Sequence, residues 1–190
     1  MITDRAPRGR AARTLFDQSD ALRDLDLPHD DTLVSPARRI STALAEEDRP
    51  GLQDACAGFV SRASDFFSVP RAGVEVLAAR PRRVYRDGTA ELYGDYDLES
   101  ALIRVWMRTA VHKRVTSPGT FLSTLCHEFC HHLDLKLFGF PDTPHTRGFY
   151  MRTAHLYHHA RQTPLRPLHW VARGGVYHVD WSRMRRKPAP

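Results

Sequence analysis

Apolar side chains follow two rhythms along this chain. Leu52, Cys56, Phe59, Val60, Ala63 and Phe67 recur three or four residues apart, the spacing that lines one face of a helix. Pro50 suits the first turn of that helix and Pro70 follows its end. Beyond it the period shortens. Val74 to Leu77 is a short, largely apolar run. Val84-Tyr85-Arg86, Asp87-Gly88 and Thr89 to Tyr93 read as two strands about a tight turn, because Asp-Gly accepts the positive φ that such turns require. Gly94 to Asp97 has the composition of another turn. From Leu102 to Thr109, Ile103, Val105 and Met107 alternate with Arg104, Trp106 and Arg108, the mark of a half-buried strand.

Helical signals return at Ser117-Pro118, an N-cap followed by a proline at the first helical position. This helix is expected to reach about Phe138, with Gly139 as its stop. After a turn at Pro141 to Pro144, a second helix is expected from near Pro144, capped by Thr143 or Asp142, to about Arg161. Trp170 to Ala172 and Val176 to Val179 flank Gly174-Gly175 and predict a small hairpin. A helix on a small, mostly antiparallel sheet, followed by two consecutive helices, makes an α+β domain over residues 49–182. Residues 1–48 mix Arg, Asp, Ser and Pro without sustained periodicity. They are expected to lack fixed structure apart from a short helix near Leu15 to Leu25. Residues 183–190 read as a basic C-terminal tail.

Composition adds limits. At 190 residues and 42% hydrophobic content, the chain suits one domain with tails and a core of ordinary size. No stretch approaches the ~18 consecutive apolar residues of a spanning helix, so no membrane partner is expected. No apolar segment follows the basic N-terminal residues, so a signal peptide is not expected and the location expected is cytoplasmic. Cys56, Cys126 and Cys130 make a poor disulfide framework, and their odd count and an expected reducing compartment favour free thiols. The net charge of +6 is placed at the ends: residues 1–13 and 183–190 together hold eight of 28 basic side chains and one of 22 acidic ones. Such tails can contact nucleic acid non-specifically, although solvated ends are the plainer reading.

The chemistry concentrates in Cys126-His127-Glu128-Phe129-Cys130-His131-His132-Leu133-Asp134. His127 and His131 are four apart, so a helix sets both imidazoles on one side, one turn apart. Both nitrogens can then reach one zinc ion at about 2.0–2.1 Å. Glu128, about 100° round the helix, can reach a water beside the ion without ligating it. Neutral imidazoles keep the ion Lewis-acidic, and a carboxylate can take a proton from water. Leu122, Leu125, Cys126, Phe129, Leu133 and Leu137 share an apolar stripe, while His127, His131 and Asp134 share another side. Cys126 and Cys130 therefore read as core residues.

A catalytic site needs a third protein ligand. No Glu follows His131, and the carboxylates left downstream are Asp134, Asp142 and Asp180. His145 is the stronger candidate. It follows a short turn, which makes consecutive helices antiparallel neighbours, and it shares a stripe with Phe149, Arg152 and Leu156. His155, His158 and His159 fall off that stripe. Asp134, one turn beyond His131, is either a carboxylate that orients a ligand imidazole or a solvated residue near a helix end. His132 lies between the two faces and carries no assignment.

On these residues the chain resembles the SprT-like zinc metallopeptidases, a branch of the zincins. The resemblance spans roughly residues 50–160: a preceding helix, a small sheet, the Gly94–Thr109 turn and strand, the His127-Glu128-x-x-His131 helix, and a later His-x-x-x-aromatic element, here His145 to Phe149. It implies a zincin-like domain in which His127, His131 and His145 bind Zn2+ and Glu128 is the catalytic base. The chain departs from the family pattern at Thr146, where members often have Gly, and in having no cysteine after Cys130 for a zinc ribbon. Some relatives act on proteins crosslinked to DNA.

The reaction expected is hydrolysis of a peptide bond in a peptide or protein substrate, with Glu128 as general base. Arg152, Tyr157 and Tyr150 are the candidates for stabilising the developing oxyanion. The Leu102–Thr109 strand is expected to offer a free edge to an extended substrate. Two alternatives stand beside this: a zinc hydrolase of a non-peptide substrate, and a non-enzymatic zincin-fold binding module recruited through the basic tails.

Overall fold

Helix α3 (Arg49–Phe66) begins where Asp48 accepts the backbone N–H of Gly51 at 3.0 Å, with Pro50 in its first turn. Its apolar stripe, from Leu52 through Ala63, is buried almost completely. The computed structural model describes residues 1–85 and 88–184. Arg86 of the expected first strand, Asp87 of the expected turn and residues 185–190 of the basic tail lie outside the described residues.

The main sheet is built around β5 (Leu102–Arg108). On one side β5 pairs in parallel with β1 (Gly73–Ala79), and on the other in antiparallel with β4 (Gly94–Asp97). The strand order β1-β5-β4 makes β5 the centre of the sheet. This corrects the expected free edge: both sides of β5 are paired, and among the described residues β1 and β4 are the end strands instead. It also corrects Gly94 to Asp97, whose turn-like composition forms a strand because Asp95 binds Arg104 across the ladder at 2.7 Å. Ile103, Val105 and Met107 are buried as the alternation requires. Two antiparallel hairpins complete the β structure. One pairs β2 (Arg82–Tyr85) with β3 (Gly88–Glu91), and the other pairs β6 (Trp170–Arg173) with β7 (Val176–Val179). The second turns through Gly174 and Gly175, both at positive φ.

Helix α4 (Pro118–Lys136) is capped by Ser117 and crosses the centre of the molecule. It packs against β4 and β5, α2 (Val34–Ala45) and α5 (Arg147–Ala160). Being enclosed, it is buried on both faces: His132 and Asp134 are as covered as Leu125 and Phe129 and His131 nearly so, while Leu137 at the end of the expected stripe is exposed. The chain leaves α4 through Gly139 at φ 70°. Helix α5 starts later than expected. Its N-cap is Thr146, whose hydroxyl accepts the N–H of Phe149 at 3.0 Å. His145 therefore precedes the helix, in a tight turn closed by the Thr146 N–H on the Pro144 carbonyl at 2.8 Å.

Residues 1–48 depart most from expectation. They form α1 (Arg10–Ala21) and α2 (Val34–Ala45), and Leu25, Leu33, Ala37, Ile40 and Leu44 belong to the main core. The polar composition is accommodated because α2 buries one stripe only, against α3 and α4. Residues 1–4 run along β7, with Thr3 N–H on the Tyr177 carbonyl. Short α6 (Trp181–Met184) ends the described chain. The whole is a mixed α+β fold of six helices and three small sheets among the described residues. None of these helices is long and apolar enough to cross a membrane.

Candidate metal centre

One turn of α4 sets the imidazoles of His127 and His131 side by side, with ring centroids 4.9 Å apart. The γ-like turn before α5 brings the third ring over them: His145 lies 5.0 Å from His127 and 4.9 Å from His131. Phe149, from the first turn of α5, touches all three rings at 4.5–5.1 Å between centroids and closes the cluster from below. One ligand nitrogen from each histidine lies within 4.8 Å of the other two. The three are close enough to bind a single metal ion.

The contacts around the rings decide which nitrogens converge. His131 Nδ1 is 3.0 Å from the Thr143 hydroxyl. His145 Nδ1 faces the Asp4 carboxylate at 3.4 Å. Both leave Nε2 for the centre. The Nε2 atoms of His127 and His145 stand 3.1 Å apart, near the roughly 3.3 Å that separates two nitrogens on one tetrahedral ion at about 2.0–2.1 Å. Burial, reinforced by the neighbouring imidazoles, pushes His127 down to about 3 and His131 to about 2. Both rings are thus held neutral, the form that ligates a metal. A donor set of three imidazoles fits a transition-metal ion.

Glu128 follows His127 and points toward β4. A Cβ on Gly94 would stand 2.7 Å from its Oε1. Burial, with a smaller push from Asp95, raises this carboxyl to about 8. Cys126 and Cys130 are buried free thiols, both pushed up by burial, Cys130 to about 12. They belong to the core.

The remaining candidates lie elsewhere. Asp134 is fully buried and pairs with Arg152 at 2.7 Å, not with a histidine. Burial raises it to about 6 against the pull of that guanidinium. Arg152 also donates to the carbonyls of Ser19 and Leu22, and sits 6.0 Å from the Phe149 ring centroid. It is committed to binding the end of α1. Tyr157 meets Arg161 at 2.7 Å, and its hydroxyl lies beside Gly119 at the opposite end of α4 from His131. Neither Arg152 nor Tyr157 reaches the triad. Tyr150 does stack on His145, but its hydroxyl donates to the Ile2 carbonyl at 2.9 Å. His132 bridges α4 to the sheet: its Nε2 bonds the Pro70 carbonyl at 2.7 Å and its Nδ1 meets the Tyr96 hydroxyl at 2.8 Å. A carbonyl only accepts, so Nε2 carries the proton and Nδ1 accepts from Tyr96.

Sequence reasoning missed Thr143 and Asp4. Thr143 stood only as a possible helix cap, and Asp4 lies 141 residues from its partner. No periodicity connects such positions.

Compared with protein families, curated proteins and solved structures, the chain matches none. Its function therefore rests on the geometry of the histidine cluster and its surroundings.

Proposed function

We propose that this chain is a zinc-dependent metallopeptidase of the zincin type, as the SprT-like resemblance implies. The observation that carries the reading is the convergence of His127, His131 and His145, with Glu128 next to His127 in α4. Three imidazoles with an open fourth position are a catalytic donor set. A zinc ion bound there supplies a Lewis acid that acidifies water and polarises a carbonyl.

The chain's own groups do the rest. Glu128 takes a proton from the attacking water at a carboxylate oxygen, then hands it to the leaving amine nitrogen. Its burial keeps the carboxyl among few competing waters, and the absent side chain at Gly94 leaves room for it. End strand β4, which carries Gly94, offers main-chain groups to an extended peptide. A peptide laid along it runs past Glu128. This favours peptide over other hydrolysable substrates.

The test has two parts. Purified protein should hold about one zinc per chain, and an unfolded protein substrate should be cleaved in a zinc-dependent way. Glu128→Gln should keep the zinc and lose the cleavage by at least about 100-fold. Full cleavage by a zinc-loaded Glu128→Gln protein overturns the mechanism, and a zinc-free wild type overturns the reading.

A further inference from the structure

The backbone of His145 is not held by the helix that follows it, although Phe149 and Tyr150 of that helix pack on its ring. Its own turn leaves it outside α5, and its side chain is about one-third exposed. The groups that hydrogen-bond its backbone come from the other end of the chain. The Asp4 N–H donates to the His145 carbonyl at 2.8 Å, and Asp4 Oδ2 accepts the His145 N–H at 2.8 Å. The same Oδ2 lies 3.4 Å from His145 Nδ1. One carboxylate oxygen thus addresses both the backbone and the ring of a single residue.

The neighbouring contacts show that this is one end of a continuous grip. Tyr150 donates to the Ile2 carbonyl, Ser19 meets Thr146 at 3.0 Å, and Asp20 binds both the N–H and the guanidinium of Arg147. Gly148 packs so closely under α1 that a Cβ would lie 2.0 Å from the Ser19 carbonyl oxygen. Residues 1–22 therefore set the position of residues 145–152.

We propose that Asp4 is a positioning residue for the metal centre, fixing the ring of His145 with its proton on Nδ1 and its Nε2 lone pair toward His127 and His131. The inference rests on the metal reading of the triad. A carboxylate only accepts, so the ring nitrogen facing it carries the proton. His131 and Thr143 make the parallel arrangement within the α4–α5 connection, but Asp4 reaches its ligand from the first residues of the chain. A carboxylate behind a ligand histidine fixes its tautomer and raises its basicity, commonly by 10–100-fold in metal affinity.

The experiment measures zinc affinity by chelator competition on the full chain for wild type, Asp4→Ala and Thr3→Ala. Thr3 serves as the control because it ties the same segment to Tyr177, through its N–H and its hydroxyl, both at 2.9 Å. Asp4→Ala should lose about 10–100-fold in affinity, and Thr3→Ala less than about threefold. In 15N spectra of the zinc-loaded wild type, His145 should ligate through Nε2 and keep its proton on Nδ1, and Asp4→Ala should lose that fixed signature. Equal affinity of wild type and Asp4→Ala overturns the inference alone, as does an equal loss in Thr3→Ala. A wild type that binds no zinc overturns the metal reading beneath it.

Discussion

Gly94 lies against Glu128 so closely that a Cβ there would meet Oε1 at 2.7 Å and Cγ at 2.9 Å. Real Cβ atoms do not approach so near, so Gly94→Ala must move the carboxylate. The substitution lies on β4 and touches none of the three histidines. Zinc content should stay at the wild-type level while kcat/KM on a peptide falls about 100-fold, the cost of roughly 1 Å of misplacement. Thr124 Cγ2 would also be touched, at 2.6 Å. Adding Thr124→Ser removes that second contact and should not restore activity. Restoration would assign the defect to packing on Thr124 and not to the carboxylate.

The carboxyl of Glu128 makes a pH test available in the metal-free protein. Its folded value is raised from 4.5 to about 8 by burial and then by Asp95. Between those values the folded protein holds a proton that the unfolded chain lacks, so this contribution to stability is present at low pH and lost as pH rises through about 8. His127 and His131 act in the opposite sense, but only below the ordinary histidine value of 6.5. From pH 6.5 to 8, wild type should therefore lose about 1.4 kcal/mol per pH unit relative to Glu128→Gln. Denaturant titrations at three pH values measure it. Zinc should abolish the difference, because a nearby dication favours the carboxylate.

The parts of the site that were legible in the sequence are those close together along the chain. His127, Glu128 and His131 lie on one helix, where phase alone sets their relation, and His145 follows by one short turn. The apolar stripe of α3 and the Gly174-Gly175 hairpin were legible for the same reason. The rest depends on packing between distant segments. Gly94 to Asp97 looks like a turn until Arg104 pairs with Asp95 and Tyr96 reaches His132. Leu33, Ala37, Ile40 and Leu44 do carry a helical period, but charged neighbours and Pro36 obscure it. Arg152 shares a stripe with Phe149 and so looked like a site residue. It faces the core only because Asp134 and the end of α1 satisfy its charge there.

That ion pair predicts a large structural effect. Asp134 and Arg152 are both about fully buried, and removing one charge strands the other. Asp134→Asn should cost about 3–5 kcal/mol of stability. The double substitution Asp134→Leu with Arg152→Met should cost less than Asp134→Asn, since it leaves no unpaired charge. A double-mutant cycle by denaturant unfolding measures the coupling. Additive losses would mean that Arg152 acts mainly through the α1 carbonyls.

Thr143 separates stability from metal binding. Its φ of 38° lies in the left-handed region, which costs a β-branched residue about 1–2 kcal/mol. That backbone holds its hydroxyl 3.0 Å from His131 Nδ1. Thr143→Gly relieves the strain, but it also frees the unfolded chain, by about 0.5–1 kcal/mol, and loses one hydrogen bond of about 1 kcal/mol. These effects nearly cancel, so the metal-free protein should change in stability by less than about 1 kcal/mol. Zinc affinity should nevertheless fall about 10–100-fold, because the His131 ring loses the group that orients it. Thermal unfolding with and without zinc reads both at once. At zinc equal to 100 times the wild-type Kd, wild type gains about 2.7 kcal/mol, and Thr143→Gly should gain visibly less. An equal gain in both proteins would show that the left-handed turn serves the path of the chain and not the ligand.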